Sequence, residues 1–119
     1  MPRDEIIDNL TLVAEWLGVK HPRKHFELVV VGGSAMALLG MPKTTADVDV
    51  LIPARLPLEI LNAARVVGKA KGLGPDWLND RAADALAVSC AEKERPAYFL
   101  ERSLSIPIAD NLTVHVIGR

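Results

Sequence analysis

Two short stretches of this chain hold residues able to do chemistry together. Val31-Gly32-Gly33-Ser34 closes a run of valines, and Asp47-Val48-Asp49 comes after twelve intervening residues. Side chains alternate along an extended strand, so Asp47 and Asp49 are expected on one face, their Cα atoms ~6.5 Å apart. Left bare, two such carboxylates repel each other. A divalent cation between them removes the repulsion and supplies the charge a triphosphate needs. The glycines suit the other half of that arrangement. A turn without Cβ atoms lets backbone N–H groups approach phosphate oxygens, and it puts Ser34 at the positive end of the following helix. With the two stretches side by side, Gly32, Gly33 and Ser34 would orient phosphates while Asp47 and Asp49 hold magnesium, the layout of a phosphoryl- or nucleotidyl-transfer site. Lys43 and Thr45, in the polar connection between the stretches, are further candidate phosphate contacts. Taken singly, each motif has a plainer explanation: a tight strand-to-helix turn for the glycines, a solvated strand face for the acids. Their order and spacing favour the functional one.

The elements that must position these residues follow from periodicity and punctuation. Ile6, Ile7, Leu10, Val13, Trp16 and Leu17 recur at steps of three and four, which predicts an amphipathic helix from Arg3 to Gly18. A basic loop, Lys20 to His25, precedes a strand over Phe26 to Val31 that stops at Gly32-Gly33. Ser34 is placed to cap a short helix through Ala35 to Leu39, with Gly40 as its stop. Asp47 to Ile52 reads as a second strand ending at Pro53, and Pro57 suits the first helical position of a helix over Leu58 to Lys71 that Gly72 ends. Another helix is expected from about Asp80 to Glu94, interrupted by Pro96, with Trp77 covering the core before it. Leu104 to Ile108 and Leu112 to Ile117 flank a turn at Ala109-Asp110-Asn111, and Pro107 assigns the first of them to an edge or a loop. The whole reads as one α+β domain over residues 1–119, a small sheet with helices packed on one side.

Composition limits what partners the site can serve. Fourteen Lys and Arg against fifteen Asp and Glu leave a net charge of -1, with no overall field to draw the molecule onto DNA or acidic lipid. The single cysteine, Cys90, excludes an internal disulfide framework and a cysteine-based zinc site. The longest apolar stretch, Leu28 to Met41, contains three glycines and a serine and is shorter than the ~20 apolar residues that span a bilayer. The acidic start, Met1-Pro2-Arg3-Asp4-Glu5, is unlike a signal peptide, and a soluble cytoplasmic protein is expected. His21, His25 and His115 lack ligand spacing to one another.

At the glycine turn and the acid pair the sequence resembles the nucleotidyltransferase fold superfamily, whose signature is a hydrophobic strand, Gly-Gly or Gly-Ser, a spacer of about this length, and Asp-hydrophobic-Asp. Within it, Lys43-Thr44-Thr45-Ala46-Asp47-Val48-Asp49 is similar to the Arg-x-Thr-x-Asp-x-Asp stretch of the minimal and abortive-infection toxin nucleotidyltransferases, with lysine where arginine is commoner. Trp77-Leu78-Asn79-Asp80 resembles an uncharacterised bacterial group of the same fold. The resemblance implies magnesium-dependent transfer of a nucleoside monophosphate from a triphosphate such as ATP to a hydroxyl on RNA, protein or a small molecule. It also implies a toxin-type role with an antitoxin protein as partner. Asp47 and Asp49 would be the catalytic and metal-binding residues, and Gly32, Gly33, Ser34, Lys43 and Thr45 the nucleotide-binding ones.

Two departures support an alternative, a catalytically inactive nucleotide- or partner-binding module of the same fold. Active members place a third carboxylate on a later strand, whereas Leu112 to Ile117 offers only Thr113 or His115, with Asp110 just before it. Toxin members also continue into a helical C-terminal region, whereas this sequence stops at Ile117-Gly118-Arg119, as a truncated piece or a minimal variant would.

Overall fold

The computed structural model describes residues 1–42, 44–82 and 103–117. Lys43, Asp84, Cys90, Pro96, most of the helix expected up to Glu94, and Gly118 and Arg119 lie outside the described residues.

The first helix, α1, spans Arg3–Lys20 and buries Ile6, Leu10, Val13 and Leu17, one residue from each successive turn. Asp4 and Glu5 in its first turn and Lys20 in its last complement the helix dipole. It runs two residues past the expected stop at Gly18. A glycine in helical conformation weakens a helix without ending it, and Pro22 is the real barrier, since the residue before a proline is driven out of the helical region. Gly18 also lies under Asn111, whose amide donates to the Ala14 carbonyl at 2.9 Å and braces this end of α1.

Strand β1 covers Phe26–Val31 as predicted, and α2 follows at once as Gly32–Leu38. The helix begins earlier than expected, and its N-cap position belongs to Val31. Ser34 is therefore a first-turn residue, not a cap; its hydroxyl donates back to the Val31 carbonyl at 2.9 Å. Strand β2 is Val48–Ile52, so Asp47 stands just ahead of it. Helix α3 has the predicted span, Leu58–Lys71, with Gly72 as a left-handed C-cap at φ 70°. Pro57 is at its N-cap position, one residue before the first helical residue where it was expected. A two-residue strand, β3 (Leu78–Asn79), was not anticipated. β4 (Ser103–Ala109) and β5 (Leu112–Ile117) form the expected hairpin, with Asp110 and Asn111 at its turn and Pro107 on the outer strand.

These strands make a five-stranded mixed sheet in the order β3-β2-β1-β5-β4, which gives the α+β class expected of the sequence. β1 pairs antiparallel with β2 and parallel with β5, and β3 runs parallel to β2. Alternation then sorts the two faces. Leu28 and Val30 of β1, Val48 and Val50 of β2, and Val114 and Val116 of β5 join α1, α2 and α3 in one buried cluster. Each such fully buried aliphatic side chain contributes ~1.5–3 kcal/mol of hydrophobic stabilisation. The residues between them, Glu27, Val31, Asp49, Thr113 and His115, belong to the opposite face. None of the described helices is long and apolar enough to cross a membrane.

Candidate functional site

The register of β1 against β2 decides where the acid pair lies. Val31, the last residue before the glycines, is the direct partner of Asp49. Asp49 therefore sits across from the turn, and contact is close: a Cβ built on Gly32 would come within 3.1 Å of Asp49 Oδ2. Gly32 also has φ +72°, a left-handed conformation that side chains with a Cβ rarely adopt. Position 32 is thus constrained twice, once by its backbone and once by the carboxylate that fills the space.

Ser34 closes the joint from the other side. Its hydroxyl accepts the Asp49 backbone N–H at 3.3 Å while donating to the Val31 carbonyl, and the residue is fully buried. One of its bonds ties α2 to β2 and the other returns to the Val31 carbonyl at the end of β1, so Ser34 helps to position both strands. Thr45 is similarly committed. Its Oγ1 donates to the Asp47 carbonyl at 3.0 Å and accepts the Asp47 N–H at 3.4 Å, which shapes the chain entering β2. The backbone amide of Thr45 meanwhile donates to the Met1 carbonyl at 3.2 Å.

The two carboxylates differ in their partners. Asp47 Oδ2 lies 3.9 Å from Arg81 Nη2, an ion pair in which the side chains are 43% and 64% exposed. Among the described residues, no ion pair or hydrogen bond engages the Asp49 carboxylate, which is half-buried beside the glycines. No cluster of three His, Cys, Asp or Glu side chains arranged for a metal occurs among the described residues. Comparisons with family models, curated proteins and solved structures return no match.

The third-carboxylate question has a geometric answer within the described residues. β5 runs parallel to β1, with Leu112 beside Phe26, so the Asp110 turn stands at the far end of the sheet from Gly32. His115 is turned to other work, its Nε2 2.7 Å from Glu27 Oε1 and its Nδ1 2.9 Å from Ser105 Oγ. The residue in register with Asp49 on its free side is Asn79 of β3, 7% exposed. Its amide donates to the Asp76 carbonyl at 3.1 Å, and its Oδ1 accepts the Arg81 N–H at 3.2 Å. Asp80, next in sequence, points elsewhere and accepts the Leu56 N–H at 2.8 Å. Asn79 and Arg81 were not singled out from the sequence as site residues. The Trp77-Leu78-Asn79-Asp80 motif is the available signal for them, and by itself it carries no pairing with Asp49.

Asp47 and Asp49 are the side chains here whose chemistry would suit a divalent cation of the magnesium type. That ion is commonly held by one or two carboxylates and keeps its remaining positions for water and phosphate oxygens, so a pair of acids is a sufficient protein contribution. The missing Cβ at position 32 lets the Asp49 carboxylate approach the backbone of the turn closely. The basic loop is occupied locally: Lys24 pairs with Glu59, and His25 Nδ1 lies 3.2 Å from the Asp110 carbonyl.

Proposed function

We propose that the chain binds a magnesium–nucleoside triphosphate between the Gly32-Gly33 turn and the Asp47/Asp49 pair, and transfers the nucleoside monophosphate to a hydroxyl acceptor on RNA, protein or a small molecule. The observation that carries this reading is the pairing of Val31 with Asp49. It sets a carboxylate that is unpaired among the described residues against a glycine that cannot be replaced without pressing on it. Asp47 and Asp49 hold the cation, and the first amides of α2, which have no intrahelical partners, face the phosphates. A cation held by these two residues would supply charge that neutralises the phosphates as pyrophosphate leaves. Ser34 and Thr45 fix the backbone of Asp49 and Asp47 respectively. A toxin-type role restrained by an antitoxin protein, in the cytoplasm, extends the same reading.

Incubation with α-labelled nucleoside triphosphates, magnesium and RNA or protein acceptors tests it. Label transfer that falls about 100-fold or more in Asp49→Asn supports transfer, a loss of the size expected when a key charge-stabilising group is removed. One observation favours a second reading, binding without turnover: the register neighbour of Asp49 is the neutral Asn79. Magnesium-dependent ATP binding that requires Asp49, with no transfer to any acceptor, would select it. No magnesium-dependent nucleotide binding at all would overturn both.

A further inference from the structure

We infer that Arg81 is the polyphosphate-binding cation of this site, and that before the metal binds it stands in as the counter-ion of Asp47. The inference rests on the magnesium–nucleotide reading above and adds a residue and an order of events to it.

Arg81 is anchored through its backbone. Its backbone N–H is tied to Asn79 Oδ1, and Asn79 is itself the register partner of Asp49, so the Cα of Arg81 is anchored beside the site. Asp80 anchors the same segment through the Leu56 N–H. The side chain, by contrast, is 64% exposed and among the described residues makes one long contact, 3.9 Å to Asp47 Oδ2. A fixed base with a loosely held guanidinium suits an arm that exchanges partners. A cation arriving at Asp47 and Asp49 competes directly with the guanidinium for the Asp47 carboxylate. Once displaced, Arg81 remains at the mouth of the cradle with a planar fork of donors that matches phosphate oxygens. Among the described residues it is the cationic side chain paired with either aspartate. Metal binding and phosphate capture are then coupled through one side chain: the metal frees the arginine, and the arginine closes on the phosphates the metal brings.

This makes two effects of one substitution opposite in sign. Calorimetry with manganese alone should give tighter binding to Arg81→Ala than to wild type, by about two- to fivefold, because an exposed ion pair is the competitor removed. Calorimetry with ATP, and separately with inorganic tripolyphosphate, both at saturating magnesium, should give binding weaker by about tenfold or more. Equal losses for the two ligands identify the phosphates as what Arg81 grips; a loss for ATP alone would overturn that assignment. Arg81→Lys, which keeps the charge and loses the fork, should lie between, and circular dichroism of each variant checks that the fold is kept. If wild type binds magnesium–ATP in an Asp49-dependent way but Arg81→Ala changes neither affinity, this inference fails and the parent reading stands. If wild type binds neither ligand, both fail.

Discussion

Gly32 shows what a single missing carbon does here. Two separate penalties meet at this position: the φ of +72°, and the 3.1 Å approach of Asp49 Oδ2 to any Cβ. The first costs an L-residue ~1–2 kcal/mol, and the second presses on the carboxylate and shifts it by about a few tenths of an ångström. Gly32→Ala is therefore expected to lower the thermal midpoint by about 4–8 °C for each kcal/mol lost and also to weaken manganese binding. Gly40→Ala is the control. Gly40 has φ +94° with nothing within 4 Å of its added Cβ, so it should lose stability and keep its cation affinity. Calorimetry on the two variants separates strain from contact; a Gly32→Ala protein that binds manganese as tightly as wild type would show that Asp49 is not part of the site. The glycines were legible from the sequence as a turn, because two of them follow a β-branched run. That the carboxylate of Asp49 occupies the space in front of Gly32 was not written in either motif alone; it comes from strand register. Arg81 was illegible for the same reason, since its meaning lies in Asp47, far away along the chain.

At the scale of elements, α3 was readable to the residue because its limits are chemical: a proline sets the entry and a glycine in the left-handed conformation ends it. β3 was not readable, because two residues carry no periodicity and exist as a strand only by pairing with Val48 and Asp49. Trp77 marks the place. Its indole donates to the Ala64 carbonyl at 2.8 Å and packs over Gly68 of α3, so the helix positions the strand that borders Asp49. The other end of α3 is tied down by charge. The Lys24 hydrogen bond, with the Glu59 backbone bond and the Lys24 charge behind it, holds the Glu59 carboxyl below the ordinary glutamate range. A lowered carboxyl pKa means the folded state binds fewer protons, so this contribution is fully present above the unfolded glutamate pKa. It is lost as pH falls through the lowered folded value. Glu59→Gln should thus be less stable than wild type near neutral pH, and the difference should shrink to nothing on acidification through that window. Because Lys24 is exposed, added salt should shrink it as well. Thermal midpoints measured from about pH 7 to about pH 3 at low and high salt check this. A gap that widens on acidification would contradict the assignment.

For the molecule as a whole, the decisive property is that one buried cluster joins the three described helices to β1, β2, β3 and β5. The candidate site has no scaffold of its own. It exists where β2 is gripped between β1 on one side and β3 on the other, and those strands hold their positions only because their inner faces share that cluster. Leu28 lies in the central strand and is fully buried. Leu28→Ala removes packing from the inner face of the sheet, opposite the face that carries Asp49, at a cost of ~2–5 kcal/mol. With a single core, that loss should lower the urea midpoint of every element together. A Trp16→Phe background leaves Trp77 as the one tryptophan and places the fluorescent probe next to β3, while far-UV circular dichroism follows the helices. In that background the two curves are expected to coincide both with Leu28 intact and with the Leu28→Ala substitution added. Manganese should raise both midpoints equally, since a ligand of the folded state stabilises all of it. Tryptophan fluorescence changing at distinctly lower urea than the dichroism would mean that β3 and the Asp49 end of the sheet open on their own. The cradle would then be a local, separately adjustable structure and not a consequence of the core.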